Sequence, residues 1–427
     1  MFASLGIANY RNFFAGALLS NIGGWMQRIA QDWLVLTELT DHSARALGFV
    51  TALQFVAMPL LAPWTGAVAD RFPKRKVLMV TQLLLALNSL VLFFLVSTGV
   101  VTLWWVYFLA FTQGLAMAFD GPARQSFVSE MVPDRLLPNA VGLNSTSFNS
   151  ARLIGPAAAG ALIGVAGVAP ALLVNALSFV PMLIGLATMR QDELHPAPER
   201  RGRGSAIEGL RYLRGRPDIL MVMFVVFMLG TFGMNFQINN AVMATTMFGK
   251  GAEEFGLLGT LMAIGTLAAA LIAARRQKPR LRVLLGALLA FTVFTTVLAL
   301  APSYSIYAIL LVPVGWTMLT VMTTANSTVQ LATAPQMRGR VMAVYMAIFQ
   351  GGTPLGAPFV GWGTDQWGPR WGILVGSIAC ALTFIGVLGF MVGHRGVRFR
   401  WERTWPPRLH VWTLDEVRAA QAANQVK

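Results

Sequence analysis

Twelve apolar stretches, each close to the roughly 20 residues that a helix needs to cross hydrocarbon, constrain this chain more than any other feature. They lie at 12–37, 46–68, 77–97, 102–123, 139–164, 168–189, 218–241, 255–275, 281–301, 304–328, 341–364 and 370–392. They are apolar on both faces and lack the ten-residue alternation of barrel strands, so they read as continuous helices in lipid. Composition agrees: 56% of residues are hydrophobic, 12% are charged, and mean hydropathy is +0.61, values that a soluble domain rarely reaches. The first stretch is too long for the apolar region of a cleaved signal, and Gln27, Arg28, Gln31 and Asp32 make it too polar, so the N-terminus is expected to stay attached. The lone Cys380 lies in the twelfth stretch, which excludes an intrachain disulfide and suits a small packed residue.

A net charge of +15 raises the question of nucleic acid, and the placement of the charge answers it. Of the 33 lysines and arginines, 28 fall at the two termini or in the loops after the even-numbered stretches. The other side has only Arg45, Lys250 and Arg370, and Arg28 and Arg152 sit inside stretches. That asymmetry is a topology signal: both termini are expected in the cytoplasm, with the basic loops against anionic lipid headgroups and no nucleic-acid partner.

The longest polar interval, residues 190–217, divides the chain into six stretches before it and six after. The expected division is a six-helix bundle over 1–189, a cytoplasmic central loop over 190–217, a second bundle over 218–392 and a basic cytoplasmic tail over 393–427. Internal similarities suggest parallel repeats. PDRLLPNAVG from Pro133 matches PQMRGRVMAV from Pro335, and IGPAAAG from Ile154 matches LGAPFVG from Leu355. GAVADRFPKRK from Gly66 has a counterpart in AARRQKPRLRVL from Ala273, without the aspartate.

Six plus six spans, a basic central loop and G-x-x-x-D-R-x-x-[KR]-[RK] after the second span resemble the major facilitator superfamily of secondary transporters. The opening NYRNFFAGALLSNIGGWMQRIAQDWLVLTELT, the IGPAAAG stretch and SFVSEMVPDRLLPNAVGLNS are similar to a bacterial exporter branch that includes siderophore exporters, macrolide efflux proteins and a lysophospholipid transporter. The resemblance implies an all-α membrane protein of twelve transmembrane helices in two six-helix pseudo-repeats, in the bacterial cytoplasmic (inner) membrane and monomeric. It also implies a latch at the cytoplasmic end of span 2, formed by Gly66, Asp70, Arg71 and Arg75, that favours the outward-open form. Pro73 stands where that pattern has glycine.

Ionisable groups inside spans are costly, so function is their default reading. Arg28 and Asp32 are four residues apart and share a helical face, about 24 and 30 Å from the cytoplasmic end of span 1, and Arg152 lies about 20 Å along span 5. With Asp120, near the end of span 4 and four residues from Arg124, they are the proton-coupling candidates. Polar residues supply the substrate-cavity candidates Gln27, Gln31, Asn235, Asn239 and Thr323, to which the family's cavity-lining spans add Gln113. Any of these amides could instead join helices. Gly155, Pro156 and Gly160 permit close packing and a bend, and resemble the Gly-Pro motif of proton-driven antiporters. Ala151 replaces a glycine of that motif, and Ala110 replaces an arginine that many such antiporters carry on span 4.

Enzyme chemistry finds no support, because His42, His195, His394 and His410 all fall in loops or the tail, and no metal cluster, cofactor motif or phosphate-binding loop is present. The expected function is proton-coupled export of a small amphiphilic compound, drug-like or siderophore-like, by alternating access. A lipid flippase of the same fold and a non-transporting scaffold are the alternatives. Thr413 and Glu416 form a capping pattern before a short tail helix.

Overall fold

The computed structural model describes residues 2–195, 206–275, 280–395, 398–402 and 408–412. Twelve long helices build the body: α1 (Ala8–Trp33), α2 (Ala44–Arg71), α3 (Lys74–Ser97), α4 (Leu103–Met131), α5 (Leu137–Ala166) and α6 (Val168–Ala187), then α7 (Pro217–Met247), α8 (Ala252–Ala274), α9 (Leu281–Ala299), α10 (Tyr304–Ala332), α11 (Arg338–Trp367) and α12 (Pro369–Arg395). Eight are long and apolar enough to cross a membrane on length and hydropathy alone. The other four, α1, α4, α5 and α11, fall short because they carry polar groups that the bundle buries, among them Gln27, Gln31 and Asp32 on α1 and Asp120 and Glu130 on α4.

Local chemistry sets several helix ends. The Ser43 and Ser303 hydroxyls cap α2 and α10 by accepting from Ala46 N and Ile306 N. Pro217 opens α7, where its missing N–H leaves no intrahelical bond unmade. A single glycine joins α5 to α6 and another joins α11 to α12: Gly167 at φ +83° and Gly368 at φ +93°, a backbone region that other residues rarely adopt.

The packing repeats with a shift of six helices. α1 lies against α5 and α6, α2 against α4, and α3 against α4 and α6; likewise α7 lies against α11 and α12, α8 against α10, and α9 against α10 and α12. The halves meet along two equivalent seams, α2 with α11 and α5 with α8. The two glycine motifs paired in the sequence do equivalent work in these contacts. Gly155 abuts α1 at Trp25 and Ile22, as Gly356 abuts α7 at Thr231, while Gly160 abuts Ala252 at the start of α8, as Gly361 abuts Ala44 at the start of α2. No room for a β-carbon exists at these approaches, so helix backbones there come closer than side chains allow elsewhere.

These tight seams belong to one end of the molecule, the end away from the termini and the basic loops. There Asp365 of α11 accepts from Ser43 Oγ at 3.0 Å, Ala44 N at 2.7 Å and Arg45 N at 3.1 Å, closing the first turn of α2 from across the seam. At the basic end a short helix, Ala206–Arg214, lies within the expected central loop and docks on α11 through the Glu208–Arg340 ion pair at 2.9 Å. Beyond α12, strands Arg398–Glu402 and Arg408–Trp412 pair antiparallel. The expected tail helix after Thr413 lies outside the described residues.

Candidate functional site

Three acids are buried among the described residues: Asp32, Asp120 and Glu130. Two are neutralised locally. Asp120 accepts from Arg124 Nε at 2.9 Å, Gln82 Nε2 at 2.7 Å and Thr81 Oγ1 at 2.8 Å, and Glu130 pairs with Lys74. Asp32, 2% exposed, has no cation in ion-pair contact; its Oδ2 accepts from Gln237 Nε2 of α7 at 2.5 Å. Among the described residues, the hydrogen bond this carboxylate accepts therefore crosses between the halves.

Arg28, although four residues from Asp32, turns toward aromatic rings. Its guanidinium lies over Trp25 at 5.1 Å and Phe55 of α2 at 5.2 Å, and Arg152 of α5 lies over the same Trp25 ring at 5.7 Å. Phe148 of α5 meets Trp25 edge-on at 6.1 Å. Both arginines are half-buried, as are Trp25, Phe55 and Gln237. α1, α2, α5 and α7 thus bring two cations, one acid, one amide and three aromatic rings into one place.

The amides divide into two groups that the sequence could not separate. Gln31 and Gln113 join a ladder with Gln54 of α2, whose Nε2 lies 3.4 Å from Gln31 Oε1 and 3.3 Å from Gln113 Oε1. Gln27, expected at the cavity, points the other way: its Oε1 accepts from Ser89 Oγ of α3 at 2.5 Å and from Asn175 of α6, inside the first half. Four residues along a helix turn a side chain by a net rotation of about 40° and shift it by about 6 Å along the axis, and here that exchanges seam for bundle interior.

Asn235 and Asn239 also differ from expectation. α7 is interrupted: π-helical turns at Leu229–Gly233 and Met243–Met247 flank a break at Met234, and Asn235 donates to Thr231 O at 2.8 Å to cover the break. Asn239 reaches Gly372 O of α12 at 3.4 Å, and Asn240 accepts from Tyr307 OH of α10 at 2.8 Å. All three are buried inside the second half, which leaves Gln237 as the α7 amide that reaches the first half. Thr323 donates to Leu319 O of its own helix at 2.9 Å.

Of the expected latch, Arg75 is tied within the first half, where its Nε and Nη2 donate to Leu186 O at 2.5 Å and Ala187 O at 2.9 Å and cap the end of α6. Arg71 is exposed, and the surroundings of Gly66 and of the Asp70 side chain lie outside what the structure describes. Sequence reasoning missed Gln54, Trp25, Phe55 and Asp365 as participants. Asp365 alone left a signal: an acid near a helix end that contributes little to topology.

The family model described as transmembrane secretion effector, within the major facilitator superfamily, matches residues 1–410. The staphyloferrin A transporter of Staphylococcus aureus is 27% identical over 263 residues, 61% of this chain and 65% of that protein. The multidrug efflux pump Tap of Mycolicibacterium fortuitum is 27% identical over 362 residues, 81% of this chain and 86% of the pump. The chain thus spans somewhat less than two thirds of the staphyloferrin A transporter and also of the YfiS transporter of Bacillus subtilis. Among solved structures, a bacterial homologue of the human lysosomal transporter Spinster, inward-facing and unoccupied, superposes with a TM-score of 0.72 at 15% identity over 93% of this chain and 99% of that one. The nucleoside transporter NupG gives 0.67 at 12% identity, with 90% and 99% covered. At those identities the likeness is one of fold.

Proposed function

Because the chain belongs to the transmembrane secretion effector family of the major facilitator superfamily, we propose that it is a proton-coupled exporter of a small amphiphilic compound that works by alternating access. The observation that carries this reading is the Asp32–Gln237 bond. A carboxyl that is buried, without a cation in ion-pair contact and bonded across the halves can exchange a proton without breaking a salt bridge. Asp120, held by an arginine and two further donors, is a structural group in this reading. Protonation removes the charge that Gln237 donates to, and so couples proton uptake to the strength of a contact that rocking of the halves must break.

In this assignment residues 1–189 and 218–392 are the rocking bundles, 190–217 and 393–427 are cytoplasmic, and the basic end faces the cytoplasm of a bacterial inner membrane. The seams at the far end, tightened by Asp365 and the glycine approaches, then close the site from outside. The proposed latch of Gly66, Asp70 and Arg71 engages in the opposite state.

The test is uptake of a panel of amphiphilic drugs and ferric-ion chelators into inverted membrane vesicles, with and without an imposed pH gradient, for the unchanged protein and for Asp32→Asn. Gradient-stimulated uptake of at least one compound that Asp32→Asn reduces to the no-gradient level is expected. Stimulation that survives in the variant would remove Asp32 from the coupling.

A further inference from the structure

Arg28 and Arg152 differ from Arg124, Arg75 and Arg340, each of which has a partner within the fold. Arg124 has Asp120, Arg75 has two carbonyls and Arg340 has Glu208. Arg28 and Arg152 have neither an acid in ion-pair contact nor a hydrogen bond to any described residue, and both guanidiniums lie over one indole, at 5.1 and 5.7 Å. Two like charges gathered at a half-buried ring repel each other, and the five N–H donors on each remain without a protein acceptor. The nearby acid, Asp32, accepts from Gln237 Nε2 and not from either guanidinium. Seen from the seam, the unmet need is for negative charge with acceptor oxygens, beside an apolar wall made by Trp25, Phe55 and Phe148.

We propose that Arg28 and Arg152 form an anion subsite of the transport cavity, so that the exported molecule carries a carboxylate or similar oxyanion joined to an aromatic or apolar body that rests on Trp25. The inference rests on the transport reading of this site and narrows its substrate class. A neutral or cationic amphiphile would leave both guanidiniums unpaired, whereas an oxyanion offers each an acceptor and offsets their repulsion. Guanidinium geometry suits two-point contact with a carboxylate, and the indole face accepts cation and aromatic ligand alike.

Binding measured apart from transport tests this. Purified full-length protein in lipid nanodiscs is titrated with tritiated 1-naphthaleneacetate, in competition with unlabelled acid or with 1-naphthaleneacetamide, which has the same body without the charge. The acid is expected to compete at least about tenfold better than the amide, and Arg28→Gln and Arg152→Gln are each expected to erase that preference by weakening the acid alone. Arg152→Lys, which keeps the charge but not the fork, should retain part of it and guards against variants that merely fold poorly. Equal competition by acid and amide, no saturable acid binding, or loss of both ligands together in well-folded variants would overturn the subsite. Those results leave the proton assignment standing, because it is judged by the pH-gradient response of Asp32→Asn; a gradient response that survives there would leave the anion preference standing.

Discussion

α1 and α7 occupy equivalent places in the two halves, each packed on its own fifth and sixth helices, and both develop π-helical turns toward the far end, yet they spend their polar residues differently. α1 stays continuous through Trp33 and holds Arg28 and Asp32 with Gln31 beside them. α7 breaks at Met234 and uses Asn235 to cover the break, while Asn239 and Asn240 tie it to α12 and α10. Charge in the first half and neutral hydrogen bonding in the second is the division this difference teaches. One bond, Gln237 to Asp32, joins the two regimes.

Breaking that bond should have the largest effect. Gln237→Leu leaves a buried carboxyl without its donor, a loss of about 1 to 3 kcal/mol that falls on the cross-half contact, and gradient-driven uptake in inverted vesicles should fall about tenfold or more. Uptake within twofold of the unchanged protein would detach α7 from the coupling. Gln27→Leu should instead act on stability: Ser89 and Asn175 lose their shared acceptor, and unfolding in detergent should occur with about 1 to 3 kcal/mol less stability at unaltered uptake per folded molecule. A selective loss of uptake would return Gln27 to the cavity. Asn239→Ala, which removes one long bond to Gly372 O, should lower stability by about 0.6 to 2 kcal/mol. The smallest effect belongs to Tyr307→Phe, about 0.6 kcal/mol from the lost Asn240 bond, with uptake unchanged, checked by the same detergent melts and vesicle assay.

The legible parts of the site were those fixed by residue type. A charge inside an apolar span announces itself, and Arg28, Asp32 and Arg152 were found that way. Amides do not, because Gln27 and Gln31 are chemically the same and sit one turn apart, yet Gln27 bonds into the first bundle and Gln31 reaches α2. Trp25 and Phe55 carried no signal either: an aromatic residue in a transmembrane helix is ordinarily lipid-facing or core, and only the guanidiniums above these rings distinguish them. Arg75 resembled part of a moving latch, but α6 ends beside it, and Leu186 O and Ala187 O accept from its Nε and Nη2.

By itself, the order of residues settled that the chain crosses lipid twelve times as two related sextets, since hydrocarbon admits only helices or closed barrels, these stretches lack a barrel's alternation, and matched glycine motifs report duplicated packing. Tertiary structure decided which polar side chains face the seam between the sextets and which stitch each sextet together. That choice depends on helix rotation and on neighbours up to two hundred residues away, and a pattern read along one helix contains neither.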